Sequence, residues 1–584
     1  MNLLFSLLSF GLPNSEKYIY ALIKNPSCLC SIKVVKYFSD VPSAPRESSS
    51  LQTVVQDEFT FERRVFHSPM KEFGMPFDSS SLGRLYRIVP VRDKHSLTIT
   101  WQLPPQTDWK AKPADYIAHL LGHESSGSIL SALRAKAWVT SCYAGVGSGG
   151  YENASSHALF SFTVTLSEEG VDHWSEIVAT LYTYIGMVRN YCQSPGGLPS
   201  YIYDELKSVQ DIAYKFQDEP SPEELVELVA EASTCSYLPA DRLLNGNSVL
   251  SRYDGEAIKN LLDKYFKPTN SRVDMLSSTF GREADFGSDC KDDNIMTEDT
   301  TSPDEGAAKA ESSRRKFGEP KQEPNFGTRY WIEDIDTDLM VGWEGLCQPH
   351  VAPKSSLLDV PPLNPFIPTQ LSLKPLPEDD ARTYPLAAES ETNVEDTTRM
   401  HFPTIPPAAP ESHLPCLVSQ TSGLKLYHLQ DRKFKRPIAE LRLRIVSDGC
   451  NRTPFARACS DLFVTLCKDA LIELCYQAST CELGSNISID DIGFPIRIHG
   501  FDDKLLELAK AILSVFFSFR DVEDEDVLPS SIKAGRFEAC IEMLQRSYRN
   551  AGIQASRYSA DVRLRCIRPT TWSCHAKVRS TYSG

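Results

Sequence analysis

Tyr116-Ile-Ala-His-Leu-Leu-Gly-His-Glu124, followed by Gly127-Ser-Ile-Leu-Ser-Ala-Leu-Arg-Ala-Lys-Ala-Trp138, is the most informative stretch of this chain. It lies in a helical stretch expected over Pro113–Trp138 and broken near Ser125-Ser126-Gly127. His119 and His123, at i and i+4, project from one helix face and have the spacing to share a tetrahedral zinc ion. A zinc hydrolase needs more, namely a third ligand and a base that takes a proton from the bound water. Those needs are met by His-Glu-x-x-His or by its inversion, His-x-x-Glu-His. Here Gly122 stands where the inverted motif has its Glu, and Glu124 follows the second His, about 100° further round the helix. No other two of the 12 His lie three to five residues apart. On the residues alone, two ordinary helix histidines are favoured over a structural metal, and a structural metal over a catalytic one.

Outward from this stretch, Leu85-Tyr-Arg-Ile-Val-Pro90 and Ser96-Leu-Thr-Ile-Thr-Trp-Gln-Leu103 read as strands, rich in β-branched and aromatic residues. His157–Leu166 alternates as another strand, and Ser167-Glu-Glu opens an amphipathic helix carrying Val171, Trp174, Ile177, Val178, Leu181 and Ile185. Further helices follow through Ile202–Phe216 and Ile258–Phe266. The order recurs later. Leu441, Leu443 and Ile445 mark a strand, Phe455–Cys475 a helix, Ile487–Ile498 paired strands, and Asp502–Phe516 a helix with acids in its first turn. Leu166-Ser-Glu-Glu-Gly-Val171 superposes on Gly500-Phe-Asp-Asp-Lys-Leu505 at an offset of 334. A shared element order of that length suggests duplicated α+β domains.

The whole chain has 584 residues, which allows roughly three to four domains. Its 61 Lys and Arg against 77 Asp and Glu leave a net charge of -16, which argues against a phosphate-binding surface. No 18-residue apolar run predicts a membrane span. The apolar start, Met1–Leu12, lacks a basic leader, and the 16 irregularly spaced Cys fit buried thiols of a cytoplasmic protein. Residues 281–330 read as an acidic disordered insertion, 331–415 as a Pro-rich connector and 561–584 as an irregular tail. Two folded blocks are expected between them, 60–280 and 416–560, after a remnant and linker over 1–59.

Weaker motifs carry bland readings. Gly145-Val-Gly-Ser-Gly-Gly150 has no Lys-Ser/Thr after it and reads as a turn between a helix and a strand, not a phosphate loop. Arg432-Lys-Phe-Lys-Arg436 reads as a solvated loop and Glu223-Glu224…Glu227…Glu231 as a solvated helix face.

Taken together, Tyr116–Glu124, Gly127–Trp138, Val164-Thr-Leu-Ser-Glu-Glu-Gly170 and Tyr86-Arg-Ile-Val-Pro90 resemble the second domain of the insulysin/nardilysin (pitrilysin-type) metalloendopeptidases. Leu363-Asn-Pro-Phe-Ile-Pro-Thr369 is similar to that family's connector into its third domain, and Leu426–Arg436 and Phe494–Phe516 to the third domain itself. The resemblance implies an α+β fold of two homologous domains, each an antiparallel sheet packed with helices. It also implies that His-x-x-Glu-His and its distant Glu ligand belong to a first domain that precedes this segment. Val34–Pro42 is similar to the last helix of that domain, and the pattern fades near Leu564, so only the middle domains are expected here.

By the same resemblance, His119-Leu-Leu-Gly-His123 is a degenerate copy of the zinc motif, with no catalytic residue and no cofactor expected in this chain. Zinc belongs to the complete family enzyme. His119, Gly122, Glu124, Cys142, Ala144 and Gly145 look like the family's non-catalytic exosite, which holds a peptide by backbone pairing. Ala144 stands where the family has glycine, and Cys142 where it has an aliphatic residue. The expected partners are peptide substrates and a zinc-bearing catalytic domain or chain, with neither nucleic acid nor membrane. Three readings stay open: an incomplete copy of a zinc endopeptidase, a non-catalytic subunit of a zinc-bearing partner, and a metal protein using His119 and His123.

Overall fold

The computed structural model describes residues 74–281, 319–374, 415–519 and 536–582, apart from 422, 430–433, 435, 554 and 569. It also gives the backbone of 17–24, 30–37 and 59–61. Strands β1 (Lys17–Lys24), β2 (Cys30–Tyr37) and β3 (Phe59–Phe61) pair antiparallel in one sheet. The helix expected over Val34–Pro42 is thus corrected to a strand through Tyr37, where the run Ile32-Lys-Val-Val35 is β-branched and favours extended backbone.

The first unit runs β4 (Arg84–Ile88), β5 (His95–Leu103), α1 (Pro113–Leu121), α2 (Ile129–Ala135), β6 (Val139–Val146), β7 (Ala158–Leu166), α3 (Glu168–Asp172) and α4 (Trp174–Gln193). It continues with α5 (Ser200–Phe216), α6 (Pro222–Thr234), α7 (Gly255–Tyr265), β8 (Ser271–Ser277), β9 (Lys321–Gln322), β10 (Arg329–Asp334) and α8 (Thr337–Leu346). Its seven strands form one sheet in the order β6-β7-β5-β8-β4-β10-β9, antiparallel except for the β4–β8 pair. β5 lies inside the sheet and is buried on both faces, although Leu97, Ile99, Trp101 and Leu103 alternate with Ser96, Thr98, Thr100 and Gln102; Thr98 and Thr100 bond the hydroxyls of Thr163 and Ser161 on β7 at 3.0 and 3.2 Å. The indole of Trp101 in β5 packs on Phe266 at 5.0 Å and Phe160 at 6.1 Å. α4 covers this cluster with Ile177, Leu181, Tyr182 and Ile185, all fully buried. Its buried Arg189 donates to the carbonyls of Leu262 (2.5 Å) and Cys347 (2.6 Å), satisfying backbone acceptors at the ends of α7 and α8.

The second unit comprises the hairpin β11 (Cys416–Gln420) and β12 (Lys425–His428), then β13 (Ile438–Val446), α9 (Pro454–Ala470), α10 (Ile472–Thr480), β14 (Gly484–Ile487), β15 (Gly493–Phe501) and α11 (Asp502–Ser518). Helices α12 (Arg536–Asn550), α13 (Ala555–Ile567) and α14 (Cys574–Tyr582) complete it. Its sheet order, β13-β15-β14, repeats β5-β7-β6 of the first unit, with two helices between the first pair of strands and a helix after the last. The duplication inferred from the 334-residue offset is therefore present in the topology.

Several sequence expectations need correction. Of the acidic run 281–330, residues 282–318 lie outside the described residues, but 321–322 and 329–330 are strand in the first sheet. The first part of the expected connector belongs to the first core, where Trp331, Trp343, Cys347 and Leu358 are buried. Beyond it, Phe366 enters the second core while the amide of Asn364 donates to Gln477 O at 2.8 Å. Within the expected irregular tail, residues 561–567 end α13 and Cys574–Tyr582 form α14, which packs on α9 with Lys577 reaching the carboxylate of Asp461 at 2.8 Å. Among the described residues, no helix is long and apolar enough to cross a membrane.

Candidate functional site

The six residues singled out by the resemblance gather where the end of α1 meets β6. Pro113 starts α1, and Gly122 ends it with its N–H bonded to Ala118 O at 2.8 Å. Gly127 turns the chain with φ +83°, and Ser128 caps α2 by accepting from Ser131 N at 3.0 Å. A Cβ on Gly122 would lie 3.2 Å from Ala144 Cβ and 2.9 Å from Ala118 O. The glycine is thus what lets α1 close on β6. The same closeness disfavours a base there, because a side chain at the position of the motif's Glu would require α1 or β6 to shift.

Residue patterning did not mark β6 as a strand, whereas the family resemblance placed backbone pairing at Cys142–Gly145, within it. The Gly-rich segment after it joins two strands, β6 and β7, rather than a helix and a strand. Gly145 lies within β6 at φ +154°, a conformation that a side chain disfavours. The sheet ends at β6, so among the described residues its outer edge pairs with no strand. One outward group is engaged: the guanidinium of Arg536 donates to Val139 O at 3.2 Å. Cys142 turns its thiol towards Gly122 O at 4.0 Å, and Ala144 packs on Gly122, so both face α1. Tyr143, which alternates with them, is 55% exposed. Ser167 caps α3 at the far end of β7, and Gly170 lies so close to Trp138 O that a Cβ would stand 2.0 Å from it. The Ser-Glu-Glu-Gly motif therefore fixes where β6 begins.

His119 and His123 do come together, with ring centroids 5.9 Å apart and the rings edge to face. They do not fit a zinc centre. Nδ1 of His123 accepts from Ser125 N at 3.2 Å, and the Ser125 hydroxyl lies 3.2 Å from its Nε2. Among the described residues, no acidic or thiol side chain joins the pair as a third ligand. Burial lowers His119 to about 4, and burial with the neighbouring charge of His119 lowers His123 to about 3, so both are neutral at pH 7. Burial also raises the Glu124 carboxyl, against the opposing pull of Arg134.

Sequence reasoning missed the residues that reach this site from the second unit. The ring of Tyr476 in α10 sits 5.1 Å from His123, and Glu473 accepts from the Ser131 hydroxyl at 2.7 Å. Buried Asp469 pairs with Arg134 at 2.9 Å and also with Arg536. Nothing in the local sequence around Asp469 or Tyr476 signals these contacts.

Residues 214–580 match the profile described as the middle or third domain of peptidase M16. The chain belongs to the M16 peptidase family. Residues 32–193 match the M16 inactive domain. The structure nonetheless places β8, beyond residue 214, at the heart of the first sheet. Rat nardilysin is 27% identical over 510 residues, 87% of this chain and 36% of that protein. Human insulin-degrading enzyme is 26% identical over 484 residues, 82% of this chain and 38% of that protein. The chain thus spans less than two fifths of the length of these relatives. The crystal structure of pitrilysin superposes with a TM-score of 0.50 at 17% identity, over 82% of this chain and 42% of that one. The α+β pitrilysin fold is accordingly that of this M16 chain.

Proposed function

We propose that this M16 chain is a non-catalytic, substrate-positioning part of a zinc endopeptidase, and that an extended peptide adds to the outer edge of β6 as a further strand. The observation that carries this reading is the edge position of β6 in the first sheet. In an antiparallel strand, alternate N–H and C=O groups point away from the paired neighbour, so an edge offers a row of donors and acceptors to another backbone. Ser141–Val146 is the stretch available, with Tyr143 exposed to touch the peptide's side chains. Cys142 and Ala144 shape the edge through their packing on α1. His119, Gly122 and Glu124 flank it from the end of α1. Hydrolysis falls to a zinc-bearing domain or chain. Neither His-x-x-Glu-His nor His-Glu-x-x-His occurs in the sequence, and Gly122 carries no side chain that could act as the base. The free thiols of the described residues fit a cytoplasmic, reducing setting.

The test is fluorescence anisotropy of a labelled extended peptide against the purified chain. Binding should survive side-chain scrambling, fall on N-methylation of alternate peptide residues, and persist in a chelator. Indifference to N-methylation would remove backbone pairing from the account. Chelator-sensitive cleavage of the peptide would overturn the non-catalytic assignment.

A further inference from the structure

We propose that His95, Glu168 and Glu542 form a divalent transition-metal site, of the zinc type, that pins α12 of the second unit to the first sheet. The three residues come from the start of β5, the first turn of α3 and the middle of α12. One ligand atom from each lies within 4.8 Å of the others. Small side-chain rotations bring such a set to the roughly 2.0–2.2 Å ligand distances of zinc. His95 is buried, Glu542 half-buried and Glu168 exposed, so the site is walled on one side and open to solvent at its mouth.

Two of the ligands are already oriented by neighbours, as ligands of built metal sites are. Nδ1 of His95 is held by the Ser277 hydroxyl at 2.8 Å, and Ser277 is held in turn by the Thr279 hydroxyl at 2.6 Å. The Glu542 carboxylate pairs with Arg546, whose guanidinium also donates to Leu166 O at 3.3 Å. It accepts besides from the backbone N–H of Glu168 at 3.1 Å. These contacts fix the plane of the carboxylate while leaving it lone pairs for a cation. One imidazole and two carboxylates form an N/O donor set suited to zinc, cobalt or manganese, with a remaining position for water. Burial raises the Glu542 carboxyl, against the opposing pull of the Glu168 N–H and of Arg546.

The site is separate from the His119/His123 pair and does not depend on peptide docking. Its consequence is mechanical. α12 carries Arg536, whose guanidinium bonds the first carbonyl of β6, so a cation that fixes α12 also steadies the start of the open edge.

The experiment titrates the chelator-treated full chain with zinc by calorimetry and with cobalt by absorption. The parent should bind about one equivalent and melt at a higher temperature in its presence. Glu168→Gln, at an exposed position that does not support folding, should weaken binding at least about tenfold, as should His95→Asn and Glu542→Gln. His119→Gln should bind as the parent does. The assignment is overturned if the parent binds no zinc, if Glu168→Gln binds like the parent, or if His119→Gln alone abolishes binding. A thiolate charge-transfer band in the cobalt spectrum would likewise overturn it, by placing the metal on cysteine.

Discussion

The two units carry the same helical arm in two versions. In the second, α9 and α10 run on with only Leu471 between them. In the first, α1 stops at Gly122 and α2 starts after Ser128. The intervening loop brings His123 and Ser125 inward, where the second arm is interrupted at Leu471 alone. The two arms also face each other: His123 meets Tyr476, Ser131 meets Glu473, and Arg134 meets Asp469. The difference shows how one duplicated element can be specialised. The intact arm acts as a rigid support, and the broken one seats α1 closely against the edge strand.

The most damaging way to break this pairing is at Asp469. Asp469→Ala leaves Arg134 and Arg536 buried without their carboxylate, and unfolding stability should fall by about 3–5 kcal/mol. Urea titration measures it, and an unchanged midpoint would mean that the arms are held by packing alone. Acid should act next, and from pH 6.5 downward first through the broken arm, where the two buried histidines lie. As pH falls through about 6.5, the unfolded state takes up protons that His119 and His123 refuse until about 4 and 3. Stability is therefore full above pH 6.5. It is lost on acidification at up to about 1.4 kcal/mol per pH unit for each imidazole, and the slope should flatten in His119→Gln/His123→Gln. Equal slopes for parent and double variant would show that the pair is solvated.

Gly122→Val should cost about 1–3 kcal/mol by forcing α1 away from Ala144. It should also weaken peptide binding, whereas a variant that melts and binds like the parent would show that the helix-to-strand seat is loose. The smallest effect is expected from Ser128→Ala, which removes the cap of α2 at about 1 kcal/mol. A loss much above that would indicate that the start of the second arm segment, and not only its cap, depends on Ser128.

Much of the fold was legible in the residues. β5, β7, β13 and α4 have strong periodicity or long apolar runs, and burial follows from it directly. β6 was faint in residue patterning, because Val-Thr-Ser-Cys-Tyr-Ala-Gly-Val alternates weakly and runs into glycines, and only the family resemblance pointed to backbone pairing at Cys142–Gly145. An edge strand with one partner needs less apolar patterning than a central one. The tail read as irregular becomes helix against α9 and α12, surfaces that its own sequence does not contain.

The sequence by itself determined the M16 kinship, the duplicated element order and the missing Glu at Gly122, since motifs and periodicity are local properties of the chain. Tertiary structure alone decided that β6 is an open edge, that His123 lies against Tyr476, and that His95 meets Glu168 and Glu542. Those facts depend on which residues, hundreds of positions apart, the packing of two sheets and their helices brings within a few ångströms of each other.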